Sequence, residues 1–124
     1  DVTHKCLLKQ EHIDRLMQIS SPISRFIRDA VEVYLDASIQ LGYEGSSLHD
    51  PLTLATILAP DLLTLKEYYV DVDISGGVSM GKTFADIPNV LKKPANMKVA
   101  MQVRGEEFVE LFLQRMEDLS RRIN

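Results

Sequence analysis

Apolar positions recur with a helical period over much of the chain and with a strand period in its second half. Gln10–Ile19 places Ile13, Leu16 and Met17 on one face, which predicts a short amphipathic helix. Ser20-Ser21-Pro22 then stops one helix and starts another, with Ser21 as N-cap and Pro22 in the first turn, where a residue without an N–H leaves no donor unsatisfied. From Ile23 a wide stripe runs through Phe26, Ile27, Ala30, Val31, Tyr34, Leu35, Ala37 and Leu41 to Gly42, and predicts a long helix packed on a core. Tyr43-Glu44-Gly45-Ser46-Ser47 has the composition of a mobile loop with a glycine hinge. A short helix is expected from Pro51 to Ala59, closed by Pro60.

Strand periodicity takes over after this point. Tyr68, Val70, Val72 and Ile74 alternate with Tyr69, Asp71 and Asp73, the period of a strand with one buried face, and Gly76-Gly77 turns it toward a partner at Val78–Asp86. Pro88–Pro94 is punctuated as a loop. Met97, Val99, Met101 and Val103 alternate again, and beyond Gly105 the spacing of Phe108, Leu111, Phe112, Met116 and Leu119 predicts a last amphipathic helix, whose Arg121-Arg122 suits the negative end of the helix dipole.

At 124 residues, 45% hydrophobic and 26% charged, the chain can form one compact unit or a large part of one. Its formal charge of -4 excludes a basic nucleic-acid surface, which needs clustered Lys and Arg to displace counterions from phosphates. No apolar run approaches the ~20 residues of a membrane-spanning helix, so no membrane association is expected. The single cysteine, Cys6, allows no internal disulfide and fits a cytoplasmic location, where its expected role is that of a buried apolar residue. His4 and His12 lack the spacing of metal ligands and are expected at the surface or with satisfied partners. Asp71 and Asp73 share a strand face and are expected toward solvent or an edge.

Two motifs carry candidate chemistry. Gly76-Gly77-Val78-Ser79-Met80-Gly81-Lys82-Thr83 fits G-x-x-x-x-G-K-S/T, the loop whose backbone N–H groups and lysine cradle nucleotide phosphates. That loop needs a helix starting at its Lys-Thr pair, and Pro88 stands within the second turn of any such helix. A hairpin is therefore the expected structure of 76–83, with a phosphate loop as the alternative. The other motif is His49-Asp50-Pro51-Leu52, an imidazole beside a carboxylate where a loop turns into a helix. Its local spacing also fits plain helix entry, with Asp50 as cap and Pro51 at the first position, in a binding or assembly module without chemistry.

The order of the segments along the chain bears on that choice. Asp1-Val2-Thr3, then His49-Asp50-Pro51-Leu52, then Gly81-Lys82-Thr83-Phe84-Ala85-Asp86 resembles, over nearly the whole chain, the C-terminal portion of the inosine-uridine preferring nucleoside hydrolases, with their D-V-T strand end, H-D-P-L helix start and G-x-T-x-x-D strand. The resemblance implies an α/β fold, the C-terminal part of a mixed, largely parallel sheet flanked by helices. It also implies hydrolysis of the N-glycosidic bond of ribonucleosides, calcium as cofactor and homo-oligomeric assembly of the complete enzyme. In that family the position of Asp50 binds calcium and that of His49 lies by the nucleobase as a proton donor to the leaving group. Gln40 and Tyr43, just upstream, occupy the stretch whose residues close over the base, whereas Tyr34 falls on the apolar stripe and is expected in the core. The family's aspartate-rich N-terminal calcium motif and its Asn-containing ribose segment have no match here. The chain also begins at Asp1 without methionine, so residues 1–124 are expected to be the C-terminal fragment of a single hydrolase domain, partnered by its missing N-terminal portion and inactive alone.

Overall fold

The computed structural model describes residues 2–123. Asp1, the first residue of the Asp1-Val2-Thr3 segment, lies outside the described residues. The chain divides into two compact units, one made of the chain up to Leu62 together with Val103 onward, the other of Leu63–Gln102.

The first unit opens with one turn of 3-10 helix at Thr3–Lys5 where a strand end was expected, followed by the short strand β1 at Leu7–Leu8. Helix α1 spans Gln10–Met17 and buries Ile13 and Leu16, as its period predicts. Helix α2 spans Pro22–Gln40. Its start matches the sequence signal to the residue, with the Ser21 hydroxyl accepting from the Ser24 N–H while the Ser24 side chain accepts from the Ser21 N–H. Strand β2, Ser46–Ser47, pairs antiparallel with β1 in the register Leu7 to Ser47 and Leu8 to Ser46. Helix α3 covers His49–Leu58, a 3-10 turn covers Pro60–Leu62, and helix α4 covers Gly105–Arg122. The core joins Cys6 and Leu8 to Ile13, Leu16, Leu48, Leu52, Phe108 and Leu113, so that four elements share one apolar centre. Across its rim the Arg15 guanidinium forks to Glu110 at 2.6 and 3.0 Å and to Glu117 at 2.6 Å, tying α1 to α4.

Two further expectations for this unit change. The α2 stripe is only partly a core stripe: Ile27 and Val31 pack on the centre, whereas Phe26 and Tyr34 are 70% exposed. The helix is apolar around most of its circumference, and a single neighbouring core covers one side of it. Gly45 is no hinge either. It is buried beside β2, and a Cβ there would stand 2.7 Å from the Leu8 carbonyl oxygen, so the glycine exists to let two backbones close up.

In the second unit the expected strand over Tyr68–Ile74 is broken after Tyr68. Strand β3, Leu63–Tyr68, pairs with β6, Met97–Val103, whereas β4, Val70–Val72, pairs antiparallel with β5, Thr83–Ala85. The Asn96 amide lies between, its Oδ1 accepting from the Val70 N–H and its Nδ2 donating to the Val70 carbonyl. The β4–β5 ladder continues through Asp73 N–H to the Lys82 carbonyl and Gly81 N–H to the Asp73 carbonyl. Residues 76–83 therefore close a hairpin, and Thr83 opens a strand instead of the helix that phosphate binding requires. That arrangement removes the phosphate-loop alternative.

Candidate functional site

Antiparallel pairing of β1 with β2 aligns two segments that lie far apart in sequence. Beyond the Leu7–Ser47 pair the Leu48 N–H donates to the Cys6 carbonyl at 3.0 Å, and where the two segments leave the ladder the His49 and His4 side chains come together. Cys6 and Leu48 turn into the core, where Cys6 is fully buried, and so anchor the ladder from below. The 3-10 turn carrying His4 closes through Lys5 N–H to the Val2 carbonyl and Cys6 N–H to the Thr3 carbonyl, both at 3.0 Å.

Above this ladder opens a cleft of about 730 Å³, a volume in the range of small-ligand sites. His4, Tyr34, Tyr43, Ser47, His49 and Asp50 line it together with parts of α2. The His49 and His4 rings meet perpendicular to each other, 5.8 Å between centroids, and His4 stacks on Tyr43 at 6.3 Å with planes 11° apart. The Ser47 hydroxyl lies 3.3 Å from His4 Nδ1.

Helix α3 begins one position earlier than a cap at Asp50 would allow. Leu48 occupies the N-cap position with no side-chain capping bond, His49 and Asp50 are the first two helical residues, and Pro51 is the third. The cap reading of Asp50 therefore falls. Its carboxylate stands exposed on the cleft in the first turn, near the positive end of the helix dipole, which favours an anionic side chain there.

Of the sequence-predicted site residues, the structure brings His49, Asp50 and Tyr43 together on the cleft. Gln40 sits on the exposed last turn of α2 and is not part of the cleft lining, to which Ser38 contributes instead. Tyr34 is corrected from core to cleft wall. His4 is exposed and shares a hydrogen bond with Ser47, as expected of a surface residue with a satisfied partner, and it also lines the cleft. The only sequence signal for it was the pairing of two strands of two residues each, too short for alternation to register. Asp71 accepts from the Tyr69 hydroxyl and Asp73 from Ser79 and the Ser75 N–H, contacts that hold both carboxyls below the usual range.

Among the described residues no three His, Cys, Asp or Glu side chains converge as a metal site. Asp50 is the one carboxylate among the described residues that line the cleft. Calcium takes about six to eight oxygens and prefers carboxylates, and the Asp50 carboxylate has the chemistry of such a ligand.

A family model described as inosine-uridine preferring nucleoside hydrolase matches residues 1–110. The pyrimidine-specific ribonucleoside hydrolase RihA of Klebsiella pneumoniae is 31% identical over 118 residues, covering 94% of this chain and 38% of the relative. Its counterpart in Escherichia coli O8 is 32% identical over 119 residues, with the same coverage of 94% and 38%. Among solved structures, a purine-preferring ribonucleoside hydrolase from Gardnerella vaginalis superposes with a TM-score of 0.83 at 26% identity, over 97% of this chain and 38% of that one. The chain thus spans about two-fifths of the length of the relatives it matches, and the expected α/β nucleoside hydrolase fold is the one observed.

Proposed function

The chain belongs to the inosine-uridine preferring nucleoside hydrolase family, and on that premise we propose that it is the C-terminal part of a calcium-dependent ribonucleoside hydrolase, a single domain of which residues 1–124 form one piece. The complete enzyme would split the N-glycosidic bond with water to give free base and ribose, in the cytoplasm, as a homo-oligomer. The observation that carries this reading is that His49 and Asp50, consecutive in the first turn of α3, both line the cleft. Leu48, and not Asp50, holds the cap position, so capping does not account for Asp50 as it would in a non-catalytic assembly module.

The roles follow from chemistry. When the bond between the base nitrogen and the anomeric carbon breaks, the electron pair leaves with the base, and a proton delivered to the base stabilises it. An imidazole is the side chain best suited to hold such a proton near neutral pH, which assigns His49 as the donor. Asp50 would hold calcium, which when bound supplies the positive charge that fixes the ribose hydroxyls and eases deprotonation of the attacking water. Tyr43 presents a ring face to a planar base, and Gln40 would reach the base only if the end of α2 shifts.

Substitutions in the full-length protein test the assignment. Asp50→Ala should lower calcium affinity and turnover together. His49→Ala should leave calcium affinity intact and lower turnover by the ~10²–10⁴-fold of general acid catalysis, with a smaller loss for a nitrophenyl riboside, whose leaving group departs without a proton. Equal losses for inosine and the nitrophenyl riboside would remove the donor role. Absence of ribose release by the full-length protein would overturn the reading as a whole.

A further inference from the structure

We propose that His4 is a positioning residue that holds the His49 ring in its working orientation at the cleft. The inference rests on the hydrolase reading above and adds to it a residue 45 positions away from His49 in the chain.

Three contacts converge on the His4 ring. One face lies along Tyr43, its plane stands perpendicular to that of His49, and its Nδ1 shares a hydrogen bond with the Ser47 hydroxyl. The two ring contacts fall within the ~4.5–7 Å range in which aromatic quadrupoles attract, and a perpendicular arrangement is one of their preferred geometries. The Ser47 bond fixes the rotation of His4 about its side chain. Ser47 is fixed in turn by pairing with Leu7, and the His4 backbone by the 3-10 turn that runs into buried Cys6.

His49 depends on such a support because it is exposed on the first turn of a helix. A ring in that position samples several rotamers unless a neighbour restricts it. A reacting group must be held close to its productive geometry, and a misplacement of about 1 Å costs on the order of 10²-fold in rate. The perpendicular His4 ring supplies the restriction from the side of the β1–β2 ladder. It needs no contact with substrate to do so.

The test is a double-mutant cycle on the full-length enzyme, with kcat and KM measured for inosine and uridine. His4→Ala should lower kcat about 10-fold and leave KM within about 2-fold, because the orientation of His49 matters most at the chemical step. In the His49→Ala background the same substitution should cost nothing further. His4→Phe, which keeps a ring stacked on Tyr43 and perpendicular to His49, should recover most of kcat. Should His4→Ala fail to fold, Ser47→Ala loosens the ring without touching the turn and should show the same non-additivity at a smaller loss. Equal losses with and without His49, or an unchanged kcat in His4→Ala, would overturn the positioning role while leaving the hydrolase reading in place. An inactive wild-type enzyme would instead sink the reading on which it rests.

Discussion

Gly45→Ala separates two accounts of the cleft wall by the sign of its effect. If Gly45 were a hinge in a mobile loop, alanine would restrict the unfolded chain more than the folded one and stabilise the protein by about 0.4–1 kcal/mol. The structure requires the opposite sign. A Cβ at this position meets the Leu8 carbonyl oxygen at 2.7 Å and the Leu8 carbonyl carbon and Lys9 Cγ at 3.2 Å. Lys9 Cγ can move aside, but Leu8 cannot, because its side chain is fully buried and its backbone is paired with Ser46. Forcing a methyl group into such a contact costs about 1–3 kcal/mol, an approximately 5- to 150-fold fall in the ratio of folded to unfolded protein. Urea unfolding of the full-length protein should show a lowered midpoint with an unchanged slope. Gly77→Ala is the control, since only Ser75 Oγ lies near, at 3.6 Å, and its effect should stay within about 0.5 kcal/mol. A midpoint that is unchanged or raised in Gly45→Ala would refute the close approach of the two backbones.

Two further outcomes follow from groups around the same core. The hydrogen bonds from Arg15, with a further one from Gln114, hold the Glu110 carboxyl down to about 2, so its stabilising effect is present above the ordinary value of 4.5 and is lost as pH falls through that interval toward 2. Thermal unfolding followed from pH 5 downward should therefore lose stability more steeply in the wild type than in Glu110→Gln, and equal slopes would show that the pair contributes nothing. Burial pushes the Cys6 thiol up, so an alkylating reagent should modify Cys6 slowly in the native protein and at the rate of a free thiol in denaturant. Equal rates in the two conditions would place Cys6 at the surface.

Helices α1, α2 and α4 were legible because each carries a sustained apolar period, and the start of α2 was legible to the residue because Ser21 and Pro22 satisfy two independent local rules. What periodicity left out was the identity of the covering partner. Phe26 and Ile27 are equally apolar neighbours on α2, yet Ile27 packs on the core and Phe26 stands exposed. An apolar pattern records the tendency of a face to leave water, and the tertiary arrangement decides which face is met. The break of the predicted strand after Tyr68 has a similar origin. Val70 pairs with the Asn96 side chain and with Ala85, partners that no alternation within residues 68–74 could reveal.

The site divides along the same line. His49 and Asp50 were legible as a pair because they are adjacent in the chain, but the local cap rule assigned them a role that the structure does not bear out. That rule presumes free N–H groups in need of an acceptor at the helix start. Here the Leu48 N–H is already taken by the Cys6 carbonyl, and Pro51 at the third helical position has no N–H to satisfy, so a side-chain cap has less to gain. Strand pairing thus accounts for both the freedom of Asp50 and the presence of His4 beside His49. One antiparallel contact between Leu7–Leu8 and Ser46–Ser47, followed by the bond from Leu48 to Cys6, brings the segments carrying His4 and His49 side by side, and α3 starts at His49. A substitution that breaks the ladder should for that reason disturb both histidines together, whereas one confined to the α3 surface at the exposed Leu54 should disturb neither.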